Sequence, residues 1–148
     1  MVTKEHNERK ICLFCASEYH LEMILLPYIR NRLKNTEFII FTENDLQRSL
    51  DVLLEKVNLD EESKDTIKKM NWKNGNKYEE IEKSLTKNKN IAIIINGNMD
   101  YIRYINNNIK NIVNDKVQII DCFHVSDPNV DIAQISSCYK YILNTQKI

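Results

Sequence analysis

Glycine and proline are nearly absent from this chain: its 148 residues include only two of each. That scarcity leaves little room for flexible linkers, low-complexity tails or glycine-lined ligand loops. Charge of a dominant sign is missing too, because 21 Lys and Arg balance 21 Asp and Glu. No global field therefore steers the protein toward DNA, RNA or an anionic membrane, and no nucleic-acid partner is expected. No apolar run approaches the roughly 20 residues that span a bilayer. The opening "MVTKEHNERK" is polar, and the apolar run after it is too short and wrongly flanked for a secretory signal, so a cytoplasmic location away from the membrane is expected. A second CxxC and an HxxxH are also lacking, so no metal site is expected, and no cofactor.

What the chain does contain alternates regularly. Lys10–Ala16, Phe38–Thr42, Asn90–Ile95 and Val117–Val125 are short and almost continuously apolar, as strands buried on both faces of a parallel sheet require. Helical stripes separate them. Leu46, Leu50, Leu53, Leu54 and Val57 follow the second strand, with Asn44 or Asp45 placed to cap. Ile102, Ile105, Ile109 and Ile112 follow the third. Ile132, Ile135, Tyr139, Ile142 and Leu143 fit one last helix after the fourth. Pro27 falls inside the first helix, where its ring should kink or restart it against the Met23 carbonyl. Residues 60–70 read as a helix, with "TIKKMNW" as a possible edge strand, "NWKNGNK" as a turn, and Tyr78–Leu85 as a helix again. The expectation is a single three-layer α/β domain over residues 1–148. It has a mainly parallel sheet of four to five strands, helices on both faces, and residues 1–9 loosely attached.

In such a sheet, ligands bind beyond the carboxyl ends of the strands. Those ends supply Cys15, Ser17, Glu18 and His20, then Thr42, Glu43 and Asn44, then Asn96 and Asn98, and finally Asp121, His124 and Asp127. The same residue types also cap helices and close turns, so capping and solvation account for the set as well as a site does. The first junction, "CASEYHLE", has no glycine to let backbone N–H groups wrap phosphates and no lysine to pair with them. It carries Glu18 and Glu22, which repel polyphosphate, and Ser17 is placed to cap the helix. Cys12 and Cys15 resemble a CxxC pair, but their odd spacing in an extended strand points the thiols to opposite faces. Cys12 reads as a buried thiol. Cys15 ends its strand at a helix N-terminus, where a thiolate is stabilised. A small enzyme with Cys15 as nucleophile and His20 or His124 as acid/base follows, with Asp121 or Glu18 orienting the imidazole. A pure interaction module using the 102–112 stripe or the Tyr139–Tyr141 region is a third reading.

The stretch "KICLFCASEYHLEMILLPYIRNRLKNTEFIIFTEND" resembles the opening of the methanogen/methylotroph DcmR-type sensory (MEDS) domain. The matching pieces are Ile11–Phe14, Ser17–Glu18, Leu25–Arg32 and Thr42–Asn44, with Pro27 on the family's proline. "INGNMDYI" and "VQIIDCFHVSDPNVDIAQISSCYKYIL" are similar to its later segments, although Cys15 stands where an aromatic is common and Asn98 where the family has an acidic residue. The resemblance implies a RecA/KaiC-like fold that has lost its Walker loop. It also implies a non-catalytic sensor of a small molecule, supposed to be a hydrocarbon derivative, that works with a signalling kinase or transcription regulator. A standalone sensor has no output domain, so a partner or homo-oligomer is expected.

Overall fold

The computed structural model describes residues 10–144; the expected loose attachment of residues 1–9 lies outside them. Five strands form one parallel sheet: β1 (Lys10–Cys15), β2 (Thr36–Thr42), β3 (Asn90–Gly97), β4 (Val117–His124) and β5 (Tyr141–Leu143), in the spatial order β2-β3-β4-β1-β5. Six helices intervene: α1 (Glu18–Arg30), α2 (Gln47–Lys56), α3 (Glu61–Lys69), α4 (Tyr78–Thr86), α5 (Met99–Ile109) and α6 (Ile132–Ser136). The three-layer parallel architecture expected from the alternating pattern is the one found.

The period-2 geometry of the strands divides the core in two. Ile40, Ala92, Ile94, Ile120, Leu13 and Cys15 meet α1, α2 and α3 on one face. Ile39, Ile93, Ile95, Ile119, Phe123 and Cys12 meet α4, α5 and α6 on the other. Each fully buried isoleucine contributes about 2 kcal/mol by leaving water. β3 is buried along nearly its whole length, from Ile91 to Gly97, which is why its sequence shows no alternation.

Four local expectations need correction or choice. The stripe Ile132, Ile135, Tyr139, Ile142 and Leu143 is not one helix. α6 ends at Ser136, and Tyr141–Leu143 become β5, paired in parallel with β1. Apolar residues at 142 and 143 match helical spacing with 135 and 139, and the backbone pairing offered by the free side of β1 outweighs that match. α1 runs unbroken through Pro27, so the proline neither restarts nor ends it. The ring removes one N–H from the helix ladder, opposite the carbonyl of partly exposed Met23. Residues 61–69 are helical, and Asp60 caps them by accepting from the Ser63 N–H at 2.9 Å. Asp45 rather than Asn44 bonds the first turn of α2, accepting from the Gln47 N–H at 2.9 Å.

The segment between α3 and α4 passes around the β2 edge, because α3 lies on one face and α4 on the other. It does more than turn. Trp72 is fully buried and its indole N–H donates to the Ile67 carbonyl at 2.8 Å. The Lys77 ammonium is buried against the carbonyls of Ile40, Asn71 and Lys73. Asn74 Nδ2 donates to the carbonyls of Thr42 and Glu43. Polar groups at the end of β2 thus find partners within the chain, as an edge strand needs.

Candidate functional site

The crossovers diverge between two neighbouring strands. β1 leads into α1 on one face, while its neighbour β4 leads toward α6 on the other. That is a topological switch point, and it opens a crevice at the strand ends. A cavity of about 420 Å³ lies there, lined by Ala16, Ser17, Glu18, Glu43, Asn44, Gly97, Asn98, His124, Ser126 and Asp127. Ser17, Glu18, Glu43, Asn44, Asn98, His124 and Asp127 were all legible as strand-end residues. Ala16, Gly97 and Ser126 carry no distinctive chemistry, and nothing in the sequence singles them out.

The helix N-termini facing this cleft are partly taken up by the chain's own side chains. Ser17 Oγ accepts from the His20 N–H at 3.1 Å, capping α1 as its position predicts. The Ala16 N–H donates to His20 Nδ1 at 3.0 Å. At α5, the Asn98 N–H donates to Glu43 Oε1 at 2.9 Å, and the Met99 N–H to Asp127 Oδ2 at 2.9 Å. The Tyr101 N–H goes to Asn98 Oδ1 at 2.8 Å. Donors at a helix start are where a phosphate would dock. Here two carboxylates of the chain itself occupy them, and the bonds from the Asn129 N–H and then the Met99 N–H hold the Asp127 carboxyl below its usual range. Glu18 lies nearby and accepts from Asn44 Nδ2 at 3.2 Å. The cleft has three carboxylates and no lysine or arginine in its lining.

Beneath the cleft runs a chain of hydrogen bonds with a definite direction. Thr42 Oγ1 donates to the Asn44 carbonyl at 2.6 Å, so it must accept from Asn96 Nδ2 at 3.0 Å. That fixes Asn96 Oδ1 toward His124 Nε2, 2.6 Å away, and makes Nε2–H the donor. The other nitrogen, Nδ1, is then an acceptor 3.4 Å from the Cys15 thiol, which also has the Phe123 carbonyl at 3.6 Å. Register delivers Cys15 and His124 directly opposite each other on β1 and β4. The connectivity Cys–His–Asn is that of thiol hydrolases, but the electrostatics run the other way. Cys15 is fully buried, and burial, followed by Glu18, pushes its thiol up to about 12. Burial also lowers the His124 imidazole below its usual range, against the opposing pull of Glu18, Asp127 and Glu43. The proton therefore rests on sulfur at neutral pH.

Two residues expected at the site are elsewhere. Asp121 is fully buried on the opposite face of β4, three residues before His124, so alternation turns it away from the cleft. Lys10 Nζ lies 3.0 Å from Asp121 Oδ2, Tyr139 donates its hydroxyl proton to the same oxygen at 2.5 Å, and Asn106 Nδ2 donates to Oδ1 at 3.0 Å. Asp121 therefore orients neither histidine. His20 packs back on its own junction through Nδ1 and does not line the cleft. Cys12, Cys15 and Cys122 are buried free thiols, and Cys138 is exposed.

Among the described residues, no group of three or more His, Cys, Asp and Glu side chains could hold a metal ion, and no helix is long and apolar enough to cross a membrane. No family model, curated protein or solved structure matches the chain.

Proposed function

We propose that the protein is a non-catalytic small-molecule sensory domain of the MEDS type, RecA/KaiC-like in ancestry, whose ligand enters the cleft at the β1/β4 switch point. The observation that carries this reading is the α5 N-terminus. Its Asn98 and Met99 N–H groups already take Glu43 and Asp127, so donors that a phosphate would use at this helix start are held by the chain's own carboxylates while the cleft above stays open. A ligand suited to that lining is polar and not anionic. Cytoplasmic action through a signalling kinase, a transcription regulator or self-association belongs to the same proposal. Calorimetry with magnesium and ATP tests it: no binding heat is expected, and micromolar affinity would sink the reading.

A small enzyme using Cys15 as nucleophile and His124 as base takes support from the 3.4 Å and 2.6 Å links through His124 to Asn96. Against it stand the sealed sulfur and its raised thiol. Alkylation by iodoacetamide separates the two. The sensor expects Cys138, which is exposed, to react well before Cys15 at neutral pH. Rapid modification of Cys15 below pH 7 would favour the enzyme.

A further inference from the structure

A second cavity, of about 400 Å³, opens on the other side of the sheet between α5 and the connection from α6 to β5. No residue of the strand-end set lines it, and its chemistry is the reverse of the cleft's. Met99, Ile102, Phe123, Ile135 and Tyr139 form an apolar and partly aromatic wall. Phe123 stacks on Phe14 at 5.8 Å between ring centroids and meets Tyr139 edge-on at 6.1 Å, which fixes the aromatic part of that wall. Buried Asp121 stands behind it and holds three lining side chains in place: Lys10, Asn106 and Tyr139.

The charge at the cavity is one-sided. No carboxylate lines it. The Lys10 charge is met by Asp121, whereas Arg103 is exposed at the rim and is in none of the ion pairs found among the described residues. An apolar pocket with a few convergent polar groups and one uncompensated guanidinium selects an amphipathic anion. We propose that this cavity binds a small organic acid, an alkyl or aryl body lying on the Phe123–Ile135 wall and its carboxylate paired with Arg103. The site is separate from the strand-end cleft, and it stands or falls independently of the sensory reading given to that cleft.

Titration of the full chain, followed by amide resonances, tests this with two acids and their uncharged counterparts: 4-phenylbutanoate and octanoate, against 4-phenylbutanamide and octanamide. Each acid should shift resonances of Arg103, Ile135 and Tyr139 and bind about tenfold more tightly than its amide, the difference being one charge-assisted pair. Arg103→Gln, at an exposed position that leaves the core untouched, should bring the acid down to the amide's affinity without changing the amide. Cys138→Phe, which fills the cavity mouth, should weaken both. Equal binding of acid and amide overturns the proposal. So does a preference that survives Arg103→Gln, shifts confined to residues 43–44 and 124–127, or no binding of either acid at millimolar concentration.

Discussion

Single side chains in this protein trade charge against burial, and two of them make that trade measurable. Glu22 of α1 is fully buried; Ser49 donates its hydroxyl to one carboxylate oxygen, and Oε1 has no partner among the described residues. Burial raises its carboxyl above the usual range, with the Ser49 bond opposing. Between the ordinary carboxyl value and that raised one, the folded chain holds a proton that the unfolded chain has released. Stability from this group is therefore present at low pH and is lost as pH rises through the folded value. Glu22→Met should raise stability at pH 7 by about 1 kcal/mol, because Ser49 keeps the Leu46 carbonyl as an acceptor. Urea midpoints at pH 7 and pH 4 check this, and the gain should shrink at the lower pH. Lys77 shows the opposite sign. Burial lowers its ammonium to about 8, so between that value and the ordinary lysine range the unfolded chain holds the extra proton, and stability rises with pH. Lys77→Met removes the three bonds that its buried ammonium donates to the Ile40, Asn71 and Lys73 carbonyls. It should cost about 2–4 kcal/mol at pH 7 and flatten that alkaline rise in a thermal melt series. Neither role is visible in the sequence. Glu22 reads as a carboxylate that repels polyphosphate at the first junction, although it is buried against Ser49, and Lys77 reads as part of an Asn-Gly turn.

Elements show which sequence signals survive folding. β1 to β4 were legible because each is an apolar run too short to be a helix, and they end within a few residues of where the runs end. β5 was not. Three residues cannot announce a period, and Ile142 and Leu143 also satisfied a helical one. "NWKNGNK" was legible as a turn by Asn-Gly, yet its tryptophan is fully buried, since packing under α3 is decided by a distant contact that no local pattern records. The junction of β3 and α5 depends on a small residue for steric reasons. A Cβ at Gly97 would lie 2.5 Å from Tyr101 Cδ2 and 3.0 Å from Glu43 Oε1. Gly97→Ala should therefore displace the Tyr101 ring and Glu43, freeing the Asn98 N–H. A cost of about 1–3 kcal/mol is expected in chemical denaturation, along with amide shifts at Asn98 and Met99.

At the scale of the whole molecule, one sheet separates two apolar clusters that share almost no side chains. Ile93 and Ile94 are neighbours in sequence but face α4–α6 and α1–α3 respectively. Ile93→Val and Ile94→Val should each cost about 1 kcal/mol, and the double variant should lose their sum to within about 0.5 kcal/mol in urea titration. Strong coupling would mean that the two halves of the core pack as one. The site was legible at this scale because the alternation of strands and helices locates strand ends before any contact is known. Two of the strand-end residues do not line the cleft: strand parity sends Asp121 to the far face, and His20 folds back to accept from the Ala16 N–H. The same topology leaves the two flanks of the sheet unequal. Lys77 and Asn74 plug carbonyls along β2, whereas β5 ends the sheet with Tyr141 and Ile142 exposed. A copy of the chain adding a strand to this sheet would meet side-chain stoppers on the Ile40 and Thr42 carbonyls at one flank, and exposed Tyr141 and Ile142 at the other.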